Sequence, residues 1–407
     1  MRPVTLPFAG IQVLPREARR GAGFLPGRMA PVVKAAEGML TEEIPAITKE
    51  LWELFFTTGE RKRFDEAYIR RRDMLLTLTL AEAYEGKGRF MGKLLAVLSA
   101  ILDEPTWIIP AHLEANSDYR AAEGLPPHLA PGRAHGLDIM AGATGACVAA
   151  TWWYLGDAVR AADAGLYETM RGAFRTCILD PFLLSHAHWT GPEGRRVNNW
   201  CPWIVTNTLF VAAVAEPDDD KRLEVIGRAM RLLDHFISGY PADGGCDEGA
   251  SYWGAAGAAY YDALELLLVI SGGALNIFDD PKVRAIGDYL PGCHIKGTRF
   301  VNFADCPPRL TPDATTLCRY SALTHSGLLA GFAGAMAPYE ADDIAYSFPY
   351  RIIRRLYLEK PQDVGYTPAR NSYFPYLKVL VSRRGDYLLA SKGGHNGESH
   401  NHNDVGN

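Results

Sequence analysis

This 407-residue chain is most informative at first for what it lacks. Its start, Met1-Arg2-Pro3-Val4-Thr5-Leu6-Pro7, has none of the apolar run that marks a secretory signal. No stretch approaches the roughly 20 consecutive apolar residues of a membrane-spanning helix. A cytoplasmic location is the expectation, and a periplasmic one stays open because a trimmed start would look the same. The seven cysteines are odd in number and never spaced Cys-x-x-Cys. That pattern argues against a disulfide framework and a zinc ribbon, and leaves free buried thiols. Basic charge is not in excess, with 42 Lys and Arg against 47 Asp and Glu. Nucleic acid is therefore not expected as a partner, and an anionic ligand would have to be met by a local basic patch. No sequence repeat of fixed period is present, which excludes an obvious solenoid.

What the chain has is helix after helix. Residues 1–40 are rich in Pro, Gly and Arg and predict an irregular arm. From Thr41, a candidate cap followed by Glu42 and Glu43, apolar residues recur at helical spacing. The spacing predicts helices over Ile44–Phe56, Arg63–Tyr84, Gly88–Leu102, Leu137–Leu155, Asp157–Cys177, Val197–Ala215 and Asp218–Ile237. Further helices are predicted over Gly249–Ile270, Pro281–Leu290, Thr316–Met336 and Asp342–Leu356. Gly297–Ala304 alternates weakly. Tyr373–Arg383 and Tyr387–Ser391 are β-rich, joined by a turn at Arg384-Gly385-Asp386. The fold expected is mainly α over 41–355 with the start of an antiparallel sheet over 365–407. Periodicity alone fits a ring of helix pairs and a plain bundle equally well.

Three polar stretches stand out against this background. They are Val197-Asn198-Asn199-Trp200, the run Asp243-Gly244-Gly245-Cys246-Asp247-Glu248-Gly249-Ala250-Ser251-Tyr252-Trp253, and the end Gly397-Glu398-Ser399-His400-Asn401-His402-Asn403-Asp404. In an extended segment His400 and His402 would point to one face. Asparagine donates hydrogen bonds to a carboxylate without titrating, and a phenol transfers a proton once its pKa is brought near the working pH.

In this order, over residues 198–407, the three stretches resemble the heparinase II/III family of polysaccharide lyases, which includes oligoalginate lyases. The resemblance implies an (α/α) toroid followed by an antiparallel β-sandwich domain, of which this chain would contain only the beginning. It implies β-elimination on uronic-acid-containing polysaccharides or oligosaccharides, without choosing among heparan sulfate, alginate and hyaluronan. Tyr252 falls on the family's catalytic tyrosine, acting as base and acid. Asn199 falls on the residue that neutralises the uronate carboxylate, with Asn198 as the fallback, and His400 on the catalytic histidine. His402 resembles a structural zinc ligand whose partners would lie downstream of these residues. Some members carry Asn-His where this chain has Asn199-Trp200, which removes one candidate base.

Around these, Trp200, Trp203 and Trp253 are candidate sugar platforms, as is Trp189, and each is also a natural core residue. Arg196, with Arg195, is a candidate for gripping carboxylate or sulfate. Glu248 is a further substrate-binding candidate. Beside Asp247 it also supports a rival reading, a glycoside hydrolase using two carboxylates, with Asp138 or Asp243 as possible partners. A carbohydrate-binding protein without activity needs only an aromatic groove. His186 and His188 read as structural or cleft-lining.

Overall fold

A computed structural model describes residues 23–113, 136–191, 196–341, 344–397 and 400–406. Helix takes 59% of the chain and strand 6%, so it is mainly α with a small antiparallel sheet near the C-terminus. Contacts divide it into two compact units. One is built from the described parts of Met1–His235, Val269–Ala274 and Asp342–Tyr357, the other from those of Phe236–Leu268, Leu275–Ala341 and Leu358–Asn407. One of the divisions falls between Tyr357 and Leu358. The C-terminal strands share a unit with helices that precede residue 341.

The centre of the first unit is a pair of long helices, Lys62–Glu85 and Ile139–Ala162. From Ala141 to Thr151 the second is buried and has no residue larger than valine, so its neighbours approach closely. At Gly145 a Cβ would lie 2.5 Å from the Ile178 side chain. Hydroxyls tie the pair together, Thr79 to Thr151 at 2.8 Å and Tyr68 to Thr144 at 2.7 Å. Arg72 is wholly buried, donates to Thr144 Oγ1 at 3.0 Å and, with Arg71, pairs with Glu104.

Several boundaries differ from the sequence reading. Residues 26–39, expected to be irregular, form a helix that buries Met29, Val32, Ala36 and Met39. Pro26 sits in its first turn, where the missing N–H has no helical partner to lose; residues 1–22 lie outside the described ones. Thr48, not Thr41, caps the next helix, accepting from Leu51 N at 3.2 Å. The break expected at Gly156-Asp157 falls instead at Asp163, whose carboxylate accepts from Leu166 N at 2.8 Å and starts Ala164–Ala173.

In the second unit, helices Gly257–Ile270, Pro281–Cys293, Ala314–Thr324 and Gly327–Met336 pack with two small sheets. The single helix expected over Thr316–Met336 is broken at His325, which takes a φ of 55° before Ser326 caps the second helix through Leu329 N. Strands β1 (His294–Lys296) and β2 (Arg299–Phe300) form a tight hairpin. Strands β3 (Asn371–Phe374), β4 (Val379–Arg384) and β5 (Tyr387–Lys392) are antiparallel in that order, and the β4–β5 turn has Gly385 at φ 55°. Alternation sends Phe374, Val379 and Val381 inward. Phe374 fits where Gly292 has no Cβ and meets Tyr289 edge-on at 4.9 Å. Arg383 donates to the Gly292 and His294 carbonyls and fixes the sheet to the end of that helix.

The stretch Tyr252–Ile270 is, against the sequence expectation, long and apolar enough to cross a membrane, but 78% of that window is buried inside the protein. All seven cysteines are free thiols; six are buried and Cys318 is partly exposed.

Candidate active site

The second unit brings together residues that are far apart in sequence. The Asp243–Gly249 run is a compact turn. Asp243 accepts from Gly245 N at 3.0 Å and from Tyr376 N at 2.8 Å, so this carboxylate is a structural clamp rather than a catalytic partner. Gly244 and Gly249 take φ values of 75° and 93°, and a Cβ on Gly249 would lie 2.6 Å from the Phe303 carbonyl. Only glycine fits both the conformation and the space. The turn delivers Ser251 and Tyr252. Ser251 Oγ donates to the Asp305 carbonyl at 2.5 Å. Tyr252 lies against His400, ring centroids 4.6 Å apart and planes inclined by 29°.

Asp305 is the residue that sequence reasoning missed. Its carboxylate meets His400 Nδ1 at 2.5 Å on one oxygen and His402 Nε2 on the other. The two histidines therefore do face one group, although not along an extended strand. His400 takes a left-handed φ of 57°, and the chain around it is looped. Asn401 Oδ1 accepts from Asn403 N at 2.7 Å and from Asp404 N at 3.2 Å, an Asx turn. Asp404 accepts from Ala304 N at 2.6 Å, and Gly406 N donates to the Lys392 carbonyl at 3.0 Å. Ala304, His400 and Asn403 are three of the five non-glycine residues with positive φ among those described. Backbone held in sparsely populated conformations tends to gather at functional sites.

The electrostatics run opposite to the sequence expectation of a phenol with lowered pKa. Burial, then the Asp305 carboxylate, then that of Glu248 push the Tyr252 hydroxyl above its ordinary value. Nor does the dipole of the following helix act directly. Tyr252–Gly254 is a single 3-10 turn, and the α-helix begins at Gly257. Tyr252 thus holds its proton at neutral pH, which suits an acid better than a base.

Of the zinc ligand set implied by the resemblance, only His402 is among the described residues. Its Nε2 is engaged by Asp305, whose other oxygen serves His400. Among the described residues, no group of three His, Cys, Asp or Glu side chains is placed to hold a metal.

The first unit places the Asn-Asn-Trp stretch at the start of helix Trp200–Ala215. Asn198 does the capping work, its Oδ1 accepting from Trp200 N at 3.1 Å. Asn199 is buried at 5% exposure and makes no side-chain cap bond, so the simple capping explanation covers Asn198 and not Asn199. The half-buried Trp200 ring touches two imidazoles, His112 at 4.6 Å and His188 at 4.7 Å between centroids. His112 Nδ1 lies 2.7 Å from Asp138 Oδ2, and the other Asp138 oxygen accepts from Ala141 N at 2.7 Å to cap the central helix. Trp203 donates to the Ser347 carbonyl at 3.1 Å and is stacked on Phe348 at 4.8 Å. Arg196 is exposed, and Arg195 lies outside the described residues.

Two of the proposed sugar platforms are core residues. Trp253, 3% exposed, donates its indole N–H to the Ile286 carbonyl at 2.7 Å, and Trp189 is wholly buried with its N–H on the Leu137 carbonyl. Neither has a face for a ligand. Glu248 is also buried, at 4% exposure, so it acts on Tyr252 through its charge. A pocket of about 280 Å³ in the first unit is lined by Ile47, Trp52, Phe64 and Pro105 among others. It holds none of the candidate residues, and its one carboxylate, Glu104, is neutralised by two arginines. Comparison with known proteins finds no family whose pattern matches the chain and no curated protein significantly similar to it.

Proposed function

We propose that the chain is a polysaccharide lyase that cleaves uronic-acid-containing glycans by β-elimination. The observation that carries this reading is the stacking of Tyr252 on His400, with Asp305 bonded to the histidine. Residues of two separate motifs, roughly 150 positions apart, meet within one unit, in the pairing that lyase chemistry asks for. The C5 proton of a uronate is weakly acidic because the adjacent carboxylate is already negative. Hydrogen-bond donors aimed at that carboxylate stabilise the enolate-like intermediate; His400 is assigned this role. A base removes the proton, the C5–H electron pair becomes the C4=C5 double bond, and the C4–O bond breaks. The departing oxygen takes a proton from Tyr252, which burial and then the neighbouring carboxylates keep protonated. The finer architecture that accompanies this reading is an (α/α) toroid followed by an antiparallel sheet, supported by the succession of helices joined by short turns.

The test is a screen of uronate polymers for the ultraviolet absorbance of a 4,5-unsaturated product, with wild-type protein and Tyr252→Phe side by side. Product formed by the wild type and lost in the variant is the expected result. New reducing ends without unsaturation, abolished by Glu248→Gln and indifferent to Tyr252→Phe, would replace the lyase with a glycoside hydrolase.

A further inference from the structure

The pocket of the first unit has a volume of about 280 Å³. An apolar cavity of about 150 Å³ is enough for benzene, so this one has room for a ring with a short substituent. Trp52 and Phe64 form two of its walls, their ring centroids 5.3 Å apart and their planes at 79°. Ile47 and Pro105 add more apolar surface. The polar groups on the wall are mostly spent on the protein itself. Thr48 Oγ1 accepts from Leu51 N at 3.2 Å, Thr106 Oγ1 accepts from Ile108 N at 3.1 Å, and Glu104 is gripped by Arg71 and Arg72. A sugar, which asks for hydrogen bonds on every side, is poorly served by such walls. Two groups remain. Lys49 opens helix Lys49–Thr58, so the pocket borders the positive end of that helix as well as an ammonium group. Its ion pair with Glu53 is long, 3.6 Å, and both ends are well exposed, at 57% and 39%, a kind of pair that is weak in water and easily exchanged. The other group is Trp52, which is 6% exposed and whose indole N–H has no hydrogen-bond partner among the described residues. Buried donors are nearly always paired, so this one is ready for an acceptor.

We propose that this pocket binds a small carboxylate carried on a single apolar ring. The ring packs against Trp52 and Phe64, the carboxylate meets Lys49 at the start of the helix, and a ligand oxygen accepts from the Trp52 N–H. Charge selects the anion. Glu104 is outnumbered by its two arginines and Lys49 adds a further positive charge, so a cation of the same shape would be repelled, and a neutral molecule would leave Lys49 unused. The site uses residues of the first unit alone and does not depend on the lyase reading.

The probe is phenylacetate, titrated by calorimetry into the full 407-residue protein, with phenethylamine and benzyl alcohol as its cationic and neutral counterparts. Phenylacetate should bind with a Kd of roughly 10 µM–1 mM, the range open to so small a ligand, and several-fold more tightly than either counterpart. Lys49→Gln should weaken it by about 2–5-fold, the share of one exposed charge. Ile47→Trp should abolish binding by filling the pocket, and because Ile47 is only partly buried the change leaves the core in place. In a spectrum of the indole N–H groups, one of the eight tryptophan signals, the one missing from Trp52→Phe, should move downfield as phenylacetate is added. Phenylacetate that shows no saturation by ~10 mM overturns the proposal. Binding that Ile47→Trp leaves intact overturns it as well, since the ligand then sits elsewhere. Equal or tighter binding of benzyl alcohol or phenethylamine overturns the choice of a carboxylate, as does an affinity that Lys49→Gln leaves unchanged. A Trp52 signal that stays still while heat is released overturns the assigned contact.

Discussion

Two polar clusters, one in each unit, are built from similar groups and differ in exposure and in the charge around the phenol. In the first unit Arg71 and Arg72 meet Glu104, with Thr144 and Tyr68 completing the network. Arg72 and Tyr68 are sealed from solvent, both guanidiniums are paired with the one carboxylate, and the Arg72 guanidinium lies 3.3 Å from the centre of the Tyr68 ring. In the second unit Tyr252, His400, His402 and Asp305 remain partly open to solvent, and the carboxylates nearest the phenol add charge of one sign. Both tyrosines are pushed up by burial and by nearby carboxylates, but at Tyr68 the Arg72 charge works against that shift. A shifted phenol alone therefore does not mark a working site. The second cluster adds exposure, like-signed carboxylates and positive-φ backbone to that shift.

The comparison can be broken most sharply at Tyr252. Tyr252→Phe removes one oxygen and should cost ~10²–10⁴-fold in turnover, while the denaturation midpoint stays within error. Steady-state kinetics paired with urea unfolding would show it, and a variant with normal kcat would dissolve the contrast. Glu104→Gln should do the reverse. It strands buried arginine charge and should cost about 3–5 kcal/mol of stability, with the turnover of the remaining folded protein unchanged.

A pH profile sharpens the difference further. Because the Tyr252 hydroxyl is held above its ordinary value, its protonated form is the one favoured by the fold, and this contribution is lost as pH rises past the ordinary tyrosine range. The alkaline fall of kcat should accordingly lie above the reference value of ~10. A fall well below it would mean that the phenolate is not the inactive form and that another acid titrates. The smallest effect expected lies outside both clusters. Thr48→Ala removes the cap bond to Leu51 N and should cost about 1 kcal/mol, read as a small shift in thermal midpoint with no kinetic change.

Local signals explain what was legible in the sequence. A helix such as Lys62–Glu85 is long and sits where the periodicity places it, Pro281–Cys293 has a plain start in Asp280-Pro281, and the Arg384-Gly385-Asp386 turn has its glycine where φ is positive. Errors arose where two signals of equal strength competed. Thr41-Glu42 and Thr48-Lys49-Glu50 are both good helix starts, and only packing decides between them. Gly156-Asp157 looks like a break, yet a helix tolerates one glycine at a cost of roughly 1 kcal/mol when its flanks are well packed. Pro26 and Pro31 made a real helix look irregular. The site was legible where it is contiguous in sequence and illegible where it is not. Asp305 lies nearly a hundred residues from the histidines it holds, in an Ala-Asp-Cys-Pro-Pro loop that carries no motif.

The thiols give the molecule a clock. Cys147, Cys177 and Cys201 are sealed in the first unit, and Cys246, Cys293 and Cys306 in the second, while Cys318 is partly open. Burial pushes the thiols of Cys147, Cys201 and Cys246 up, which slows their reaction with alkylating reagents even further. Under native conditions a maleimide should consume Cys318 first and reach the others only as fast as the surrounding structure opens. Mapping which masses appear together would time each unit separately. Simultaneous labelling of both sets would mean the halves open as one, and staggered labelling would rank them by how long each stays shut.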